Sequence, residues 1–234
     1  MTSAGRETHW SWLGRVAYPR AFEMQIAARE ALRRGEGPER LLLLEHPHVY
    51  TLGRNASAAD VLLSERELAE KGVEVAVTDR GGQVTYHGPG QLVGYPILDL
   101  APDRRDLRRY VRDLQETLVE LLAGYGIGAR GGEGERIGVW VGERKVASIG
   151  IHLSRWLTTH GFALNVAPEL GLFGGIVACG LAGVEMTSIA RETGATPPLA
   201  EVAERFVDGF ARRFGREMVA DAALAAALAE GAPA

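Results

Sequence analysis

Residues 80–91 constrain the fold more than any other stretch, because these twelve positions hold four glycines and a proline. Such a density of glycine disfavours a helix and is unusual in an ordinary strand. Apolar, strand-like segments lie on both sides, at residues 73–77 and 92–100. The pattern predicts a loop that is held by a rigid sheet, a position where binding groups are often found.

Four side chains are expected to project from this loop: Arg80, Thr85, Tyr86 and His87. The glycines beside them permit the backbone to approach a ligand closely. A surface connector whose polar side chains are simply solvated is the alternative. The combination of several hydrogen-bonding groups with bare backbone favours a ligand-binding loop.

Length and charge limit the classes of protein. The chain has 234 residues, without an internal repeat or a low-complexity linker, so we expect a single domain over residues 1–234. Its formal net charge of -4 argues against a nucleic-acid partner. The sequence has neither an apolar signal core nor a run of about eighteen apolar residues. We therefore expect a cytoplasmic protein that does not associate with a membrane.

The order of predicted elements indicates the α+β class, with a mixed, mostly antiparallel sheet flanked by helices. The clearest helix covers residues 106–125, where an apolar stripe that includes Leu107 and Val111 is interpreted as core. A helix over residues 19–34 is expected to point Phe22 and Ile26 inward. A hairpin is predicted from residues 137–141 and 146–153, and an alanine-rich helix ends the chain after the helix that Pro198 begins.

Cys179 is the first candidate for chemistry. It is the single cysteine of the chain, so no intramolecular disulfide can form. It follows a strand within a glycine-bearing loop, whose backbone amides can form an oxyanion hole for acyl transfer. A lone cysteine can equally be a small buried hydrophobe. A nucleophile needs a partner that lowers its pKa from about 8.5 or accepts its proton.

Lys145 and the histidines at positions 46, 48, 87, 152 and 160 are the candidate partners. Lys145 is one of two lysines among 26 basic residues, which suggests a role that arginine cannot fill. A desolvated lysine can gain and lose a proton, whereas arginine stays protonated. A solvated lysine at a hairpin turn is the alternative, and the sequence does not place Lys145 near Cys179.

Other motifs give no support to a cofactor. The chain has no GxxxxGK[ST] phosphate loop and no GxSxG elbow, and Gly132-Glu133-Gly134 lacks both the GxGxxG spacing and a preceding strand. His46-Pro47-His48 is a weak indication of a metal, since no third ligand is evident. We expect neither a metal nor another cofactor.

Five stretches together resemble the lipoyl(octanoyl) transferases of lipoate synthesis, in the order of that family. They are EHPHVYTLGR at 45–54, RGGQVTYHGPGQ at 80–91, KVASIG at 145–150, THGFALN at 159–165 and CGL at 179–181. The second stretch is highly specific, whereas the cysteine loop alone would not be. The resemblance covers about residues 45–190 and shows no departure at these key positions.

The resemblance implies the catalytic-domain fold of biotin and lipoate protein ligases, and transfer of octanoyl without ATP. The donor would be octanoyl-acyl carrier protein. The acceptors would be lysines on the lipoyl domains of 2-oxoacid dehydrogenase E2 subunits and on the glycine-cleavage H protein. By analogy Cys179 would form a thioester acyl-enzyme, while Lys145 would lower the pKa of the thiol and shuttle protons. The implied substrate-binding residues are Arg80, Gly81, Gly82, Gln83, Val84, Thr85, Tyr86, His87, Ser148, Ile149, Gly150, Gly161, Phe162 and Ala163.

Two alternatives stay open at this point. An ATP-dependent lipoate or biotin protein ligase would share the fold but would not need Cys179, although the arginine- and glycine-rich adenylate loop of the biotin ligases is not matched here. A non-catalytic module that docks acyl carrier proteins would tolerate Cys179→Ala without loss, yet it explains the pairing of cysteine and lysine poorly.

Overall fold

A computed structural model describes residues 6–177 and 184–230, so Cys179 lies outside the described residues. The elements within these ranges follow the chain in this order: β1 (Arg6–Arg15), α1 (Tyr18–Arg34), β2 (Glu39–Glu45), β3 (Val49–Leu52), α2 (Glu65–Lys71), β4 (Glu74–Val77), β5 (Val84–His87), β6 (Gln91–Ile97), α3 (Leu107–Ala123), β7 (Arg130–Gly132), β8 (Gly138–Val141), β9 (Arg144–Ser154), β10 (Leu157–Asn165), α4 (Ile189–Thr193), α5 (Leu199–Phe214), β11 (Arg216–Ala220) and α6 (Ala222–Glu230). Short 3-10 helices cover Ala58–Asp60, Gly134–Arg136 and Leu170–Gly175. None of the helices in these ranges is long and apolar enough to span a bilayer.

The strands form a large and a small sheet. The large sheet has the order β11-β1-β2-β6-β10-β9-β8-β7, and five of its seven pairings are antiparallel. The small sheet has the order β4-β3-β5, with one parallel and one antiparallel pairing. The predicted fold class, a mixed and mostly antiparallel sheet flanked by helices, is confirmed.

The four leucines of β2 show how the large sheet is covered on both faces. Side chains alternate between the faces of a strand. Leu41 and Leu43 accordingly pack in the core that contains residues of α3 and α5, while Leu42 and Leu44 pack in the core that contains Ala21 of α1. A strand buried on both sides needs a continuous apolar run, which is what the sequence shows.

The stretch 80–91 is not a loop throughout, and this part of the prediction is wrong. Residues 84–87 form β5, which pairs antiparallel with β3 and places Tyr86 opposite Tyr50. Valine, threonine and tyrosine favour extended structure, and the glycines lie outside the four strand positions. Alternation along β5 directs Val84 and Tyr86 into the apolar core of the small sheet, so the neighbouring positions are free to face the other way.

Two further details of the sequence interpretation need correction. In α1 the buried side chains are Tyr18, Ala21 and Gln25, whereas Phe22 and Ile26 are only half-buried. Strand β11 was not predicted, because it is short, begins with two charged residues and pairs with β1 at the far end of the chain. Its parallel partner lies too far away in sequence for a local pattern to reveal it.

Candidate active site

A cavity of about 530 Å³ is lined by residues of both sheets. Thirteen of the fourteen substrate-binding residues implied by the sequence line it, together with Lys145. They are Arg80, Gly81, Gly82, Gln83, Val84, Thr85, His87, Ser148, Ile149, Gly150, Gly161, Phe162 and Ala163. Segments far apart in the chain thus meet around one space, because β9 and β10 pair antiparallel and the 80–83 segment packs across them.

Tyr86 does not line this cavity. Its hydroxyl shares a hydrogen bond of 2.8 Å with Nδ1 of His48, and its ring meets Tyr50 and Phe173 edge to face. Burial raises the pKa of Tyr86, so the phenol stays protonated. The side chain supports β5 from behind the cavity wall.

Lys145 is buried, with 2% of its surface exposed, so the alternative of a solvated lysine at a turn is wrong. It lies near the start of β9, where it pairs with Trp140 of β8. An ideal Cβ at Gly138 would lie 2.5 Å from Cε of Lys145. Glycine at this position therefore makes the room in which the lysine side chain lies.

The segment that follows the undescribed residues 178–183 is bonded to the backbone of Lys145. The amide of Lys145 donates to the carbonyl of Glu185 at 2.9 Å, and the carbonyl of Lys145 accepts from the amide of Thr187 at 2.9 Å. Glu185 comes six positions after Cys179 in the sequence. The chain returns to Lys145 soon after the cysteine.

Arg80 anchors the glycine-rich segment to β3. Its Nε and Nη2 donate to Oγ1 of Thr51 at 3.2 and 2.9 Å, and Nη2 also donates to the carbonyl of that threonine at 2.5 Å. An ideal Cβ at Gly53 would lie 2.4 Å from the carbonyl oxygen of Gly82. The two backbone segments can approach this closely because residue 53 is glycine.

Hydrogen bonds connect the cavity wall with the segment beyond residue 183, through residues not among the predicted site residues. His87 Nδ1 lies 2.8 Å from Oε1 of Gln91, whose Nε2 donates to Oδ1 of Asn165 at 2.9 Å. Asn165 Nδ2 in turn donates to the carbonyl of Thr187 at 2.9 Å. Gln91 and Asn165 are the last residues of two motifs that carry the family resemblance. Their place in these motifs could have identified them as residues of the site.

The same network continues to the residue before Lys145. The hydroxyl of Thr187 donates to Oε1 of Glu192. Arg144 donates to both carboxylate oxygens of Glu192, through Nε at 3.0 Å and Nη2 at 2.8 Å. The bidentate geometry fixes the start of β9 against α4, and with it the backbone that carries Lys145.

Three buried histidines lie at or near the cavity, and two of them, His87 and His160, line it. His46 holds the hydroxyl of Tyr95 at 2.7 Å, and the ring of Tyr18 stacks on His87 at 6.3 Å between centroids. Burial lowers the pKa of His46 and of His160 to about 4, and it lowers the pKa of His87 well below its usual range. All three are therefore neutral near pH 7.

His160 has a left-handed backbone, with φ of 57°, which is uncommon outside glycine. Its amide donates to Oε1 of Gln25 at 2.7 Å, and its Nε2 lies 2.7 Å from Oδ1 of Asp79. The other oxygen of Asp79 lies 3.1 Å from Nδ1 of His152. These contacts hold the strained residue, whose ring lines the cavity.

The apolar part of the lining includes two residues that the sequence assigned to the core. Leu107 is 40% exposed and Val111 is half-buried, and both line the cavity. Together with Ile137, Ile149 and Phe162 they offer aliphatic and aromatic surface. Such a wall suits a hydrocarbon chain better than a polar ligand.

His46 and His48 have separate partners. His46 contacts the carbonyl of Val16 and the hydroxyl of Tyr95, whereas His48 contacts Tyr86. No group of three potential metal ligands is found within residues 6–177 and 184–230.

The family model of the lipoyl protein ligase A/B catalytic domain matches residues 17–211, so the chain belongs to this family. The chain is 51% identical over 215 residues to an octanoyltransferase of Solibacter usitatus, covering 92% of this chain and 96% of that protein. It is 47% identical to an octanoyltransferase of Chloroflexus aurantiacus over 213 residues, covering 88% and 93% of the two chains. These similarities show an acyltransferase that transfers octanoyl in protein lipoylation.

Solved structures with this fold include a bipartite lipoate protein ligase from Thermoplasma acidophilum. It superposes with a TM-score of 0.71 at 19% identity and covers 97% of this chain and 93% of its own. At this identity the match shows the fold alone, so it does not favour the ATP-dependent alternative.

Proposed function

We propose that the chain transfers octanoyl from octanoyl-acyl carrier protein to lipoyl-domain lysines through a thioester on Cys179, with Lys145 as the proton-transferring group. The observation that supports this most is the position of Lys145, which is buried at the cavity and bonded through its backbone to Glu185 and Thr187. Cys179 precedes Glu185 by six residues, within easy reach of that position.

In the first half-reaction Lys145 accepts the proton of the Cys179 thiol. The thiolate attacks the carbonyl carbon of the donor thioester, and the bond from that carbon to the phosphopantetheine sulfur breaks. The leaving sulfur receives the proton back from Lys145, which leaves an octanoyl-cysteine thioester. One acyl–sulfur bond has replaced another, so the step needs neither ATP nor a redox partner.

In the second half-reaction the neutral amine of the acceptor lysine attacks the octanoyl-cysteine carbonyl. The carbon–sulfur bond to Cys179 breaks and an amide forms. Lys145 moves the proton from the attacking nitrogen to the leaving cysteine sulfur, which restores the starting state. Lysine suits this role because it can exist both with and without the proton, whereas arginine does not release its proton.

The cavity is proposed to bind the eight-carbon chain through the thirteen lining residues of the expected set. Burial of each methylene is worth about 0.8 kcal/mol, so the apolar wall supplies both affinity and selection by length. Tyr86 contributes indirectly, through the packing of β5.

The acceptors within this proposal are the lipoyl domains of 2-oxoacid dehydrogenase E2 subunits and the glycine-cleavage H protein. The cytoplasmic location and the single-domain organisation over residues 1–234 stay predictions.

Intact-protein mass spectrometry tests the acyl-enzyme directly. The wild type and Cys179→Ala are each mixed with octanoyl-acyl carrier protein, without ATP and without acceptor. We expect an octanoyl adduct on the wild type alone, removed by hydroxylamine and consumed when a lipoyl domain is added. If no adduct forms and label reaches the lipoyl domain only with free octanoic acid and ATP, the thioester route is wrong and the ligase route holds.

A further inference from the structure

Helix α3 carries arginines beside the cavity that take no part in lining it. Arg108 and Arg112 each follow a lining residue by one position, Leu107 and Val111, and they are four residues apart. Positions four apart lie on the same side of a helix, so both guanidinium groups extend from one edge of α3 next to the apolar lining. Both residues are exposed, and so is Arg105, which comes two residues before the helix begins.

These arginines differ from most others in the described part of the chain. Most other exposed arginines have a carboxylate oxygen within 4.0 Å of a guanidinium nitrogen, as in the pairs Arg66–Glu70 and Arg205–Glu201. Within residues 6–177 and 184–230, the exposed arginines that lack such a partner are Arg54, Arg105, Arg108, Arg112, Arg155 and Arg212. Three of the six lie within eight residues of each other at the start of α3, which we call the α3 basic edge (Arg105, Arg108 and Arg112).

Two of the remaining three arginines, Arg155 and Arg54, are next in sequence to a residue that contacts Arg105 or lines the cavity. Arg155 precedes Trp156, whose ring is 5.5 Å from the Arg105 guanidinium carbon. Arg54 precedes Asn55, which lines the cavity. Arg212 is the exception, because it lies on α5. Five of these six arginines thus lie near the start of α3 or next in sequence to a residue that lines the cavity or contacts Arg105.

One residue of the lining carries the opposite charge. Glu135, in the connection between β7 and β8, is exposed, lines the cavity and makes no ion pair with the described residues. A protein that approaches the cavity thus meets positive charge at α3 and negative charge at the β7–β8 connection. Complementary charges of this kind fix the orientation of a partner and raise its association rate.

We propose that the α3 basic edge docks the acidic surface of the acyl carrier protein that delivers octanoyl, a proposal that rests on the proposed function. The acyl chain must enter beside Leu107 and Val111 while still attached to its carrier, so the carrier must lie against the neighbouring surface. The phosphopantetheine arm ends in a phosphodiester at the carrier, and that end is negative by its chemistry. The acceptor presents a lysine, which suits the Glu135 side instead.

The net charge of the whole chain favours a local positive surface for binding an acidic partner. At -4 the protein repels an acidic partner at long range, so productive encounter needs a local positive surface. Guanidinium groups without an internal carboxylate partner are available for bidentate bonds to carboxylates or phosphate.

The test compares Arg108→Glu/Arg112→Glu with wild type on two donors, octanoyl-acyl carrier protein and octanoyl-pantetheine, with a lipoyl domain as acceptor. We expect KM for the carrier-bound donor to rise by about tenfold or more and to become less sensitive to salt. Turnover of octanoyl-pantetheine, which has neither protein nor phosphate, should stay within about twofold because the lining residues are unchanged. Arg212→Glu is the matched control, because Arg212 is exposed, lies on another helix and has no ion pair with the described residues. This variant should leave the kinetics with both donors unchanged.

Three results would overturn the docking role. KM for the carrier-bound donor could be unchanged, both donors could lose activity equally, or KM for the lipoyl domain could rise in place of KM for the donor. The last result would assign the edge to the acceptor. Failure of the wild type to transfer octanoyl from either donor would instead contradict the proposed function, and thermal unfolding of each variant verifies that it is folded.

Discussion

The ring of Trp140 lies opposite Lys145 in the β8–β9 hairpin, with 5.4 Å between Nζ of the lysine and the ring centroid. The indole Nε1 donates to the carbonyl of Arg136 at 2.7 Å, which fixes the ring in place. Both side chains are buried, so the lysine nitrogen faces an aromatic surface away from solvent. The lysine is thus held in a defined position rather than free to rotate in solvent.

Lys145→Arg tests whether the side chain transfers a proton or only supplies charge. We expect turnover to fall by about a hundredfold or more, because arginine keeps the charge but does not release its proton. Steady-state kinetics with octanoyl-acyl carrier protein and a lipoyl domain measure the effect. Near-normal turnover in a folded variant would contradict the proton-transfer role.

Gly138→Ala should reduce activity by displacing Lys145. The new methyl group would lie 2.5 Å from Cε of the lysine and 2.5 Å from the carbonyl of Ala147, at a residue whose φ is 139°. We expect a loss of stability on the order of 1–3 kcal/mol and a fall in turnover. Gly142→Ala is the matched control, since it also has a positive φ, of 57°, but nothing within 4 Å. If both variants lose turnover equally, backbone strain and not crowding of Lys145 explains the effect.

Asn165→Ala should weaken the link between the cavity wall and the segment bonded to Lys145. It removes the acceptor for Gln91 and the donor to the carbonyl of Thr187, which are buried, so a loss of about 1–3 kcal/mol is expected. A double-mutant cycle with Gln91→Ala measures the coupling by denaturant unfolding. The second substitution should have a clearly smaller effect in the background of the first, and strictly additive losses would contradict a shared network.

Stability should fall as the pH drops from about 6.5 towards 4. Burial lowers the pKa of His46 to about 4, so in this range the unfolded chain takes up a proton that the folded protein does not. A shift of this size corresponds to about 3 kcal/mol per histidine, lost progressively as the pH decreases. Tm measured against pH should therefore fall less steeply in His46→Gln, which retains hydrogen-bonding groups at that position. An unchanged slope would contradict the prediction, and His9→Gln at a half-buried site is the control.

Elements with strong local signals were predictable. The capping box that begins with Ser64 forms both of its hydrogen bonds, and Gly35 ends α1 in the left-handed conformation. The hairpin that carries Lys145 was predicted, since alternating apolar residues flank a short polar turn. In each case the determining interactions lie within a few residues.

Other features depend on contacts that no local pattern encodes. A helical stripe indicates which side of α3 faces inward, but not that Leu107 and Val111 also line a cavity. The pairing of β5 with β3 requires knowledge of where both segments lie in the fold. Similarly, Gln91 and Asn165 gain their importance from each other, across the sheet.

The parallel pairing of Arg6 with Arg216, and of the strand residues that follow each of them, has a consequence for synthesis of the protein. Because 210 positions separate the paired residues, β1 is synthesised long before the strand that completes its edge. At a synthesis rate of about 5–20 residues per second, one edge of β1 stays unpaired for roughly 10–40 s. The nascent chain therefore passes through a state in which that edge can pair wrongly with another chain, until β11 is synthesised and covers it.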